Sequence, residues 1–129
     1  MGDFNLDKKS DLAVVNLGSS AVTVRLGDGR GSFAAASSVT VGTSPRSLVM
    51  ADFNCDQKPD LAAATRMPSE ASMILGDGAG GFAAATPLAT SKTSATALAA
   101  GDFNGDLKPD FVVGDESSST VTVWLNQSQ

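Results

Sequence analysis

The sequence has no histidine and no tyrosine, one cysteine and one tryptophan. Without histidine there is no common general base, no Ser-His or Cys-His nucleophile pair, and no imidazole for a transition metal. Cys55 cannot close a disulfide within the chain. It reads as a tolerated loop residue, with a bridge between two chains as the alternative. No run approaches the roughly 18 apolar residues of a membrane span, so membrane insertion is not expected. The 9 basic residues are scattered from Lys8 to Lys108 without a stripe or cluster. A phosphate backbone finds no footprint there, so nucleic acid is not an expected partner.

What is present is small and β-compatible. Hydrophobic residues make up 42% of 129, chiefly Ala, Val and Leu, and 13 glycines break them into short runs. The length suits one small domain. Net charge is −5, and the acids are not spread evenly. Most fall in one decapeptide spelled three times: GDFNLDKKSD at 2–11, ADFNCDQKPD at 51–60 and GDFNGDLKPD at 101–110. The match extends further. DLAVVN at 11–16 aligns with DLAAAT at 60–65 and DFVVGD at 110–115, and LGDGRGSF at 26–33 aligns with LGDGAGGF at 75–82. A period of about fifty residues belongs to solenoids and propellers.

The expected fold class is all-β. Each period reads as four short strands bounded by Gly, Pro, Ser, Asn or Asp; in the middle unit they fall at 46–52, 59–65, 71–76 and 82–89. Four-stranded antiparallel meanders with short turns describe blades of a β-propeller. The strand 1–2 and 3–4 loops then share one rim. The 2–3 and 4–1 connections share the other. The single repeat domain divides as 1–50 (lacking strand 1), 51–100, and 101–129 (lacking strand 4). That makes ten strands, about two and a half blades. Propellers close with at least four, so closure is expected through oligomerisation, a homodimer being favoured. The chain starts and stops inside the pattern and reads as a piece of something longer, and no signal peptide is expected. The opening Met-Gly is not a myristoylation start, because Leu6 stands where Ser or Thr is required.

The acidic loop has the spacing Asp-x-Asn-x-Asp-x-x-x-Asp. Side chains at positions 1, 3 and 5 of a tight turn point to one centre, and a position 7 carbonyl with a position 9 carboxylate completes an oxygen cage. Oxygen donors without His or Cys select calcium over zinc or copper. The expected ligands are Asp3, Asn5, Asp7, the Lys9 carbonyl and Asp11; Asp52, Asn54, Asp56, the Lys58 carbonyl and Asp60; and Asp102, Asn104, Asp106, the Lys108 carbonyl and Asp110. Up to three Ca²⁺ per chain are expected. The loop is no EF-hand, since it has neither a Glu at position 12 nor flanking helices. The bland alternative is an Asp/Asn-rich turn whose side chains cap backbone N–H groups. Adjacent Asp charges without a counter-ion would repel, which favours the cation.

The words DFNGDLKPDF and LGDGAGGF resemble the FG-GAP/VCBS repeat, whose usual form reads like GDFNGDGKPDL followed by LGNGDGTF. The resemblance covers essentially the whole chain. It implies the calcium-loaded propeller blades found in integrin α-chain heads, fungal integrin-like lectins and bacterial secreted proteins, and an extracellular setting. The chain departs at loop position 6, usually Gly, where Lys8, Gln57 and Leu107 stand. If that position needs φ > 0, each costs about 1 kcal/mol or more and weakens calcium binding.

Residues 76–81 spell GDGAGG, a literal GxGxxG, but no helix follows to meet a pyrophosphate. A hairpin turn rich in positive φ is expected instead, with Asp28 and Asp77 helping to hold it and with Phe33 and Phe82 packed between blades. Catalytic constellations are usually singular, whereas each acid here has repeat equivalents, so no enzyme activity is expected. The expected function is an extracellular calcium-binding module for carbohydrate or protein adhesion, with the 2–3 and 4–1 rim (Ser44, Arg46, Arg66, Ser69, Lys92, Ser94) facing the ligand. The alternative is a purely structural propeller fragment, engineered or excised, that self-assembles with calcium as its only ligand.

Overall fold

Runs of Ala, Val, Thr and Leu bounded by turn residues form extended strands throughout. The structure, a computed structural model, describes residues 1–88 and 95–127. Its strands are β1 (Leu12–Asn16), β2 (Ala21–Gly27), β3 (Phe33–Thr40), β4 (Thr43–Ala51), β5 (Asp60–Met67), β6 (Glu70–Ile74), β7 (Thr86–Leu88), β8 (Ala95–Gly101), β9 (Asp110–Asp115) and β10 (Thr120–Trp124). There is no helix among the described residues. The strands pair antiparallel into sheets β1-β2-β3, β4-β5-β6-β7 and β8-β9-β10. This is the expected run of partial, complete and partial blades. Among the described residues the sheets stack in a row and do not close into a barrel.

The alanine-rich stretch 95–100 is strand, not helix. Pairing of Leu98 with Val113 and Ala100 with Phe111 overrides alanine's helical preference. Strand β4 begins before the expected Arg46, because Thr43 already pairs with Met67; a register shift between Pro45 and Ser47 absorbs the proline's missing N–H. The last strand of the middle sheet is shorter than the expected 82–89. Phe82 makes only an isolated bridge with Gly76, pairing resumes at Thr86, and Ala89 lies outside the described residues.

Two apolar layers hold the row together. The first joins Phe4 of the first acidic loop and Val22, Val24 and Val39 of the first sheet to Leu61, Ala63 and Ile74 of the second. The second joins Phe53, Ala62, Ala64 and Ala71 to Ala95, Phe111 and Val113 of the third. Strand β5 therefore alternates its side chains between two cores, and every residue from Asp60 to Thr65 is buried. This explains why its sequence reads as a continuous small apolar run and not as an alternating one. Phe4 meets Phe82 edge-to-face at 5.6 Å and 71° across the first junction, a geometry worth about 0.5–1.5 kcal/mol beyond area burial. Across the second, Phe53 meets Phe111 at 5.8 Å, and Phe111 stacks on Trp124. Phe82 thus packs between blades as expected. Phe33 does not; it lies half-exposed on the open side of the first sheet.

Candidate functional site

All three acidic decapeptides fold alike. The position 1 carboxylate accepts two consecutive backbone N–H groups: Asp3 from Asp7 (3.0 Å) and Lys8 (2.7 Å), Asp52 from Asp56 (3.0 Å) and Gln57 (2.7 Å), Asp102 from Asp106 (3.2 Å) and Leu107 (2.8 Å), the last accepting a third from Gly105 (2.7 Å). The position 3 amide oxygens of Asn5, Asn54 and Asn104 accept from the same position 5 N–H groups at 3.2, 3.1 and 3.0 Å. The position 5 carboxylates accept from Lys9, Lys58 and Lys108 N–H at 2.9, 3.0 and 2.9 Å. Side chains 1, 3 and 5 are thereby drawn onto the donors of residues 5, 6 and 7. The turn needs left-handed backbone at two places. Position 4 supplies it with Leu6, Cys55 and Gly105, and position 6 with Lys8 (φ 68), Gln57 (φ 65) and Leu107 (φ 66). The condition attached to the departure from glycine is therefore met.

The hydrogen bonds set the ionisation of these groups. Asp7 is held below the ordinary carboxylate range by its hydrogen bonds to the Lys9 side chain and N–H, and Asp102 by the N–H of Leu107.

The position 9 aspartates do a different job. Asp11, Asp60 and Asp110 are fully buried. One oxygen of each accepts from Phe4, Phe53 or Phe103 N–H at 2.7, 3.0 and 2.9 Å. The other accepts from Gly27, Gly76 or Asn126 N–H at 2.8, 2.8 and 2.7 Å. Each carboxylate thus ties its own loop to the end of the third strand of the same blade. The close approach explains the glycines. A Cβ on Gly27 or Gly76 would run into the carbonyl of Ser10 or Pro59. Burial pushes the Asp60 carboxyl above its usual range, even though Gly76 and Phe53 N–H groups favour the charged form.

The donor chemistry of each loop suits calcium: carboxylates, an amide oxygen and backbone carbonyls, with no nitrogen or sulfur ligand. The side chains that gather are those of positions 1, 3 and 5. Among the described residues no group of three or more His, Cys, Asp or Glu converges closely enough to hold a metal ion. The position 9 carboxylate is turned to its two buried N–H groups. A carboxylate offers about four acceptor sites, so acceptor capacity remains on each. A counter-ion is also present within two loops, since Lys9 Nζ lies 3.1 Å from Asp7 and Lys58 Nζ 3.3 Å from Asp56. The loops hold together in this structure as capped turns.

The glycine loops lie on the same rim, as a meander requires. Asp28 Oδ1 accepts from Arg30 and Ser32 N–H at 2.7 and 3.0 Å, and Asp77 Oδ1 from Ala79 and Gly81 at 2.7 and 2.9 Å. These N–H groups depress the Asp28 pKa. Both acids hold their turns as expected. Gly80 N–H reaches across to the Phe4 carbonyl at 3.0 Å, joining the glycine loop of the second sheet to the acidic loop of the first. At the second junction Asn126 takes over. It stands at the glycine position, and its side-chain amide donates to the carbonyls of Phe53 (2.7 Å) and Pro109 (3.2 Å). Asn126 belongs to none of the motifs read from the sequence; the alignment of LNQ at 125–127 with LGD at 26–28 and 75–77 is the signal that marks it. On the other rim Arg46 and Arg66 are exposed, Ser44 has φ 55, and Ser69 Oγ accepts from Ala95 N–H at 2.8 Å, tying two sheets. Lys92 and Ser94 lie outside the described residues.

A family model described as FG-GAP-like repeat matches the chain twice, over residues 3–63 and 56–113. No curated protein and no solved structure gave a match.

Proposed function

The chain belongs to the FG-GAP-like repeat family, and from that premise we propose that it is a calcium-binding, propeller-type module of the extracellular space that presents its opposite rim to a carbohydrate or protein. The observation that carries the calcium reading is the recurrence of one gathered Asp-Asn-Asp turn at Asp3, Asp52 and Asp102, three times on one rim. The residues that would hold the ion are Asp3, Asn5 and Asp7 with the Lys9 carbonyl, and their repeats. Asp11, Asp60 and Asp110 would join by sharing their remaining acceptor sites. Calcium supplies cross-linking charge here, not chemistry, and no catalytic role is assigned to any residue.

Calorimetric titration of the chelated protein with calcium tests this. Binding of up to three ions is expected, and silence at millimolar calcium would reject it. A second reading, a structural module without an outside ligand, is favoured by the rim itself. Trp124, the one large indole, stacks on Phe111 of its own sheet at the acidic-loop end, two residues before Asn126, and so stands away from that rim. A glycan array separates the two, because the structural reading expects no hits.

A further inference from the structure

Positions related by the repeat have very different fates on the first and third sheets. Phe4, Val22 and Val24 are each 1% exposed, covered by the second sheet. Their equivalents Phe103, Val121 and Val123 are 51%, 68% and 51% exposed. The registers fix the correspondence: Val24 pairs with Ala13 and Val22 with Val15, as Val123 pairs with Val112 and Val121 with Gly114. The third sheet therefore shows solvent the same kind of surface that the first sheet buries.

What covers that surface in the first junction is known. It is the leading face of a blade, presenting Leu61, Ala63, Ile74 and Phe82. The chain carries another leading face, on the first sheet. By register its members are Leu12, Val14, Arg25 and Phe33, since Leu12 pairs with Arg25 as Leu61 pairs with Ile74. Val14 is 46% and Phe33 37% exposed. One molecule thus has an uncovered trailing face and an uncovered leading face of matching type at opposite ends of its row.

We infer that a second copy of this chain docks head-to-tail, its leading face on the trailing face of the first. In this interface Phe33 of one copy meets Phe103 of the other, edge-to-face, as Phe82 meets Phe4 within the chain. Such a contact is heterologous, and two copies arranged as a ring make it twice. Arg25 is the one member that departs from the apolar pattern, standing where the middle sheet has Ile74. Its stem covers apolar surface while its head stays at the wet edge, so it limits affinity. The inference rests on the propeller-type reading of the blades and not on calcium.

Sedimentation over a range of concentrations tests it, with Val121→Asp altering only the trailing face and Val14→Asp only the leading face. Both positions are exposed, and circular dichroism checks that each variant folds. The wild type should sediment as a dimer or larger assembly, and each variant alone should be monomeric. An equimolar mixture should recover a dimer, because one unaltered pair of faces remains. Arg25→Ile should lower the dissociation constant by about tenfold or more. A wild type that stays monomeric at high concentration overturns the inference. So does a Val14→Asp protein that still associates, since that would mean trailing faces pairing with each other. Calcium titration of the monomeric variants reads the loops separately, so a failure of the calcium reading is not confused with a failure of the interface.

Discussion

Asn126 donates its side-chain amide to the carbonyl of Phe53 at 2.7 Å, the contact that Gly80 N–H makes to the carbonyl of Phe4 at 3.0 Å one junction earlier. A side chain at the second junction replaces a backbone group of a glycine loop at the first. Asn126→Ala removes the donor shared by Phe53 and Pro109 while leaving the backbone N–H that serves Asp110. A loss of about 1 kcal/mol in urea unfolding is expected. Asn126→Asp should cost more, because it sets an acceptor against two carbonyls.

Asp60→Ala leaves the buried N–H groups of Phe53 and Gly76 without an acceptor. Each orphaned group costs about 1–3 kcal/mol, so a total near 3 kcal/mol is expected from denaturant midpoints. Asp60→Asn keeps one acceptor but turns an amide NH2 against the other N–H group, so it should be no milder than the alanine variant. If both variants unfold at the wild-type midpoint, the tie between loop and third strand has no energetic role.

Leu107 is 92% exposed with φ 66, so replacing it by glycine forfeits almost no packing. Relief of left-handed strain outweighs the added freedom of the unfolded chain, and Leu107→Gly should stabilise by about 0.5–1 kcal/mol. Gln57→Gly should behave similarly. Unchanged or lower melting temperatures in both would show that the loop carries no strain there.

Chelation is expected to lower the melting temperature. At ten times its dissociation constant a site contributes about 1.4 kcal/mol, and three such sites about 4 kcal/mol. Leu107→Gly should tighten the third site selectively in calorimetry. Identical melting curves with and without chelator would leave the loops as capped turns.

Asp28 and Asp60 should respond to acid in opposite senses in chelator. The Asp28 pKa is lowered by the N–H groups of Arg30 and Ser32. Its stabilisation is present above the ordinary value of about 3.9 and is lost as pH falls through the lower folded value. The Asp60 pKa is raised by burial. Its ionised form costs stability above the folded value, and the cost is relieved as pH falls through it. Carbon-detected NMR titration should therefore place the Asp60 midpoint above that of Asp28.

Much of this was legible in the sequence because the repeat supplies its own alignment. Three copies of DFNxD fixed the loops, and runs such as LAAA and FVVG, too apolar to alternate, marked strands packed on both faces. Side-chain direction was less legible. The spacing of Asp11 within its loop says nothing of Gly27, sixteen residues on, whose N–H turns that carboxylate inward. Nor does spacing reveal that Lys9 folds back on Asp7. Strand ends slipped where Pro45 forces a register shift and where Phe82 leaves the ladder to reach Phe4.

Among the described residues the middle sheet alone has a neighbour on each side, and Leu61–Ala64 are shielded on both of their faces. In a row of repeats, stability is approximately a sum of intrinsic and nearest-neighbour contributions. The end sheets each have one interface to lose, the middle sheet two. Local opening should therefore run inward from the ends. The amides of β5 should be the last to exchange with deuterium, and the chain should behave as a cooperative centre with two frayable flanks.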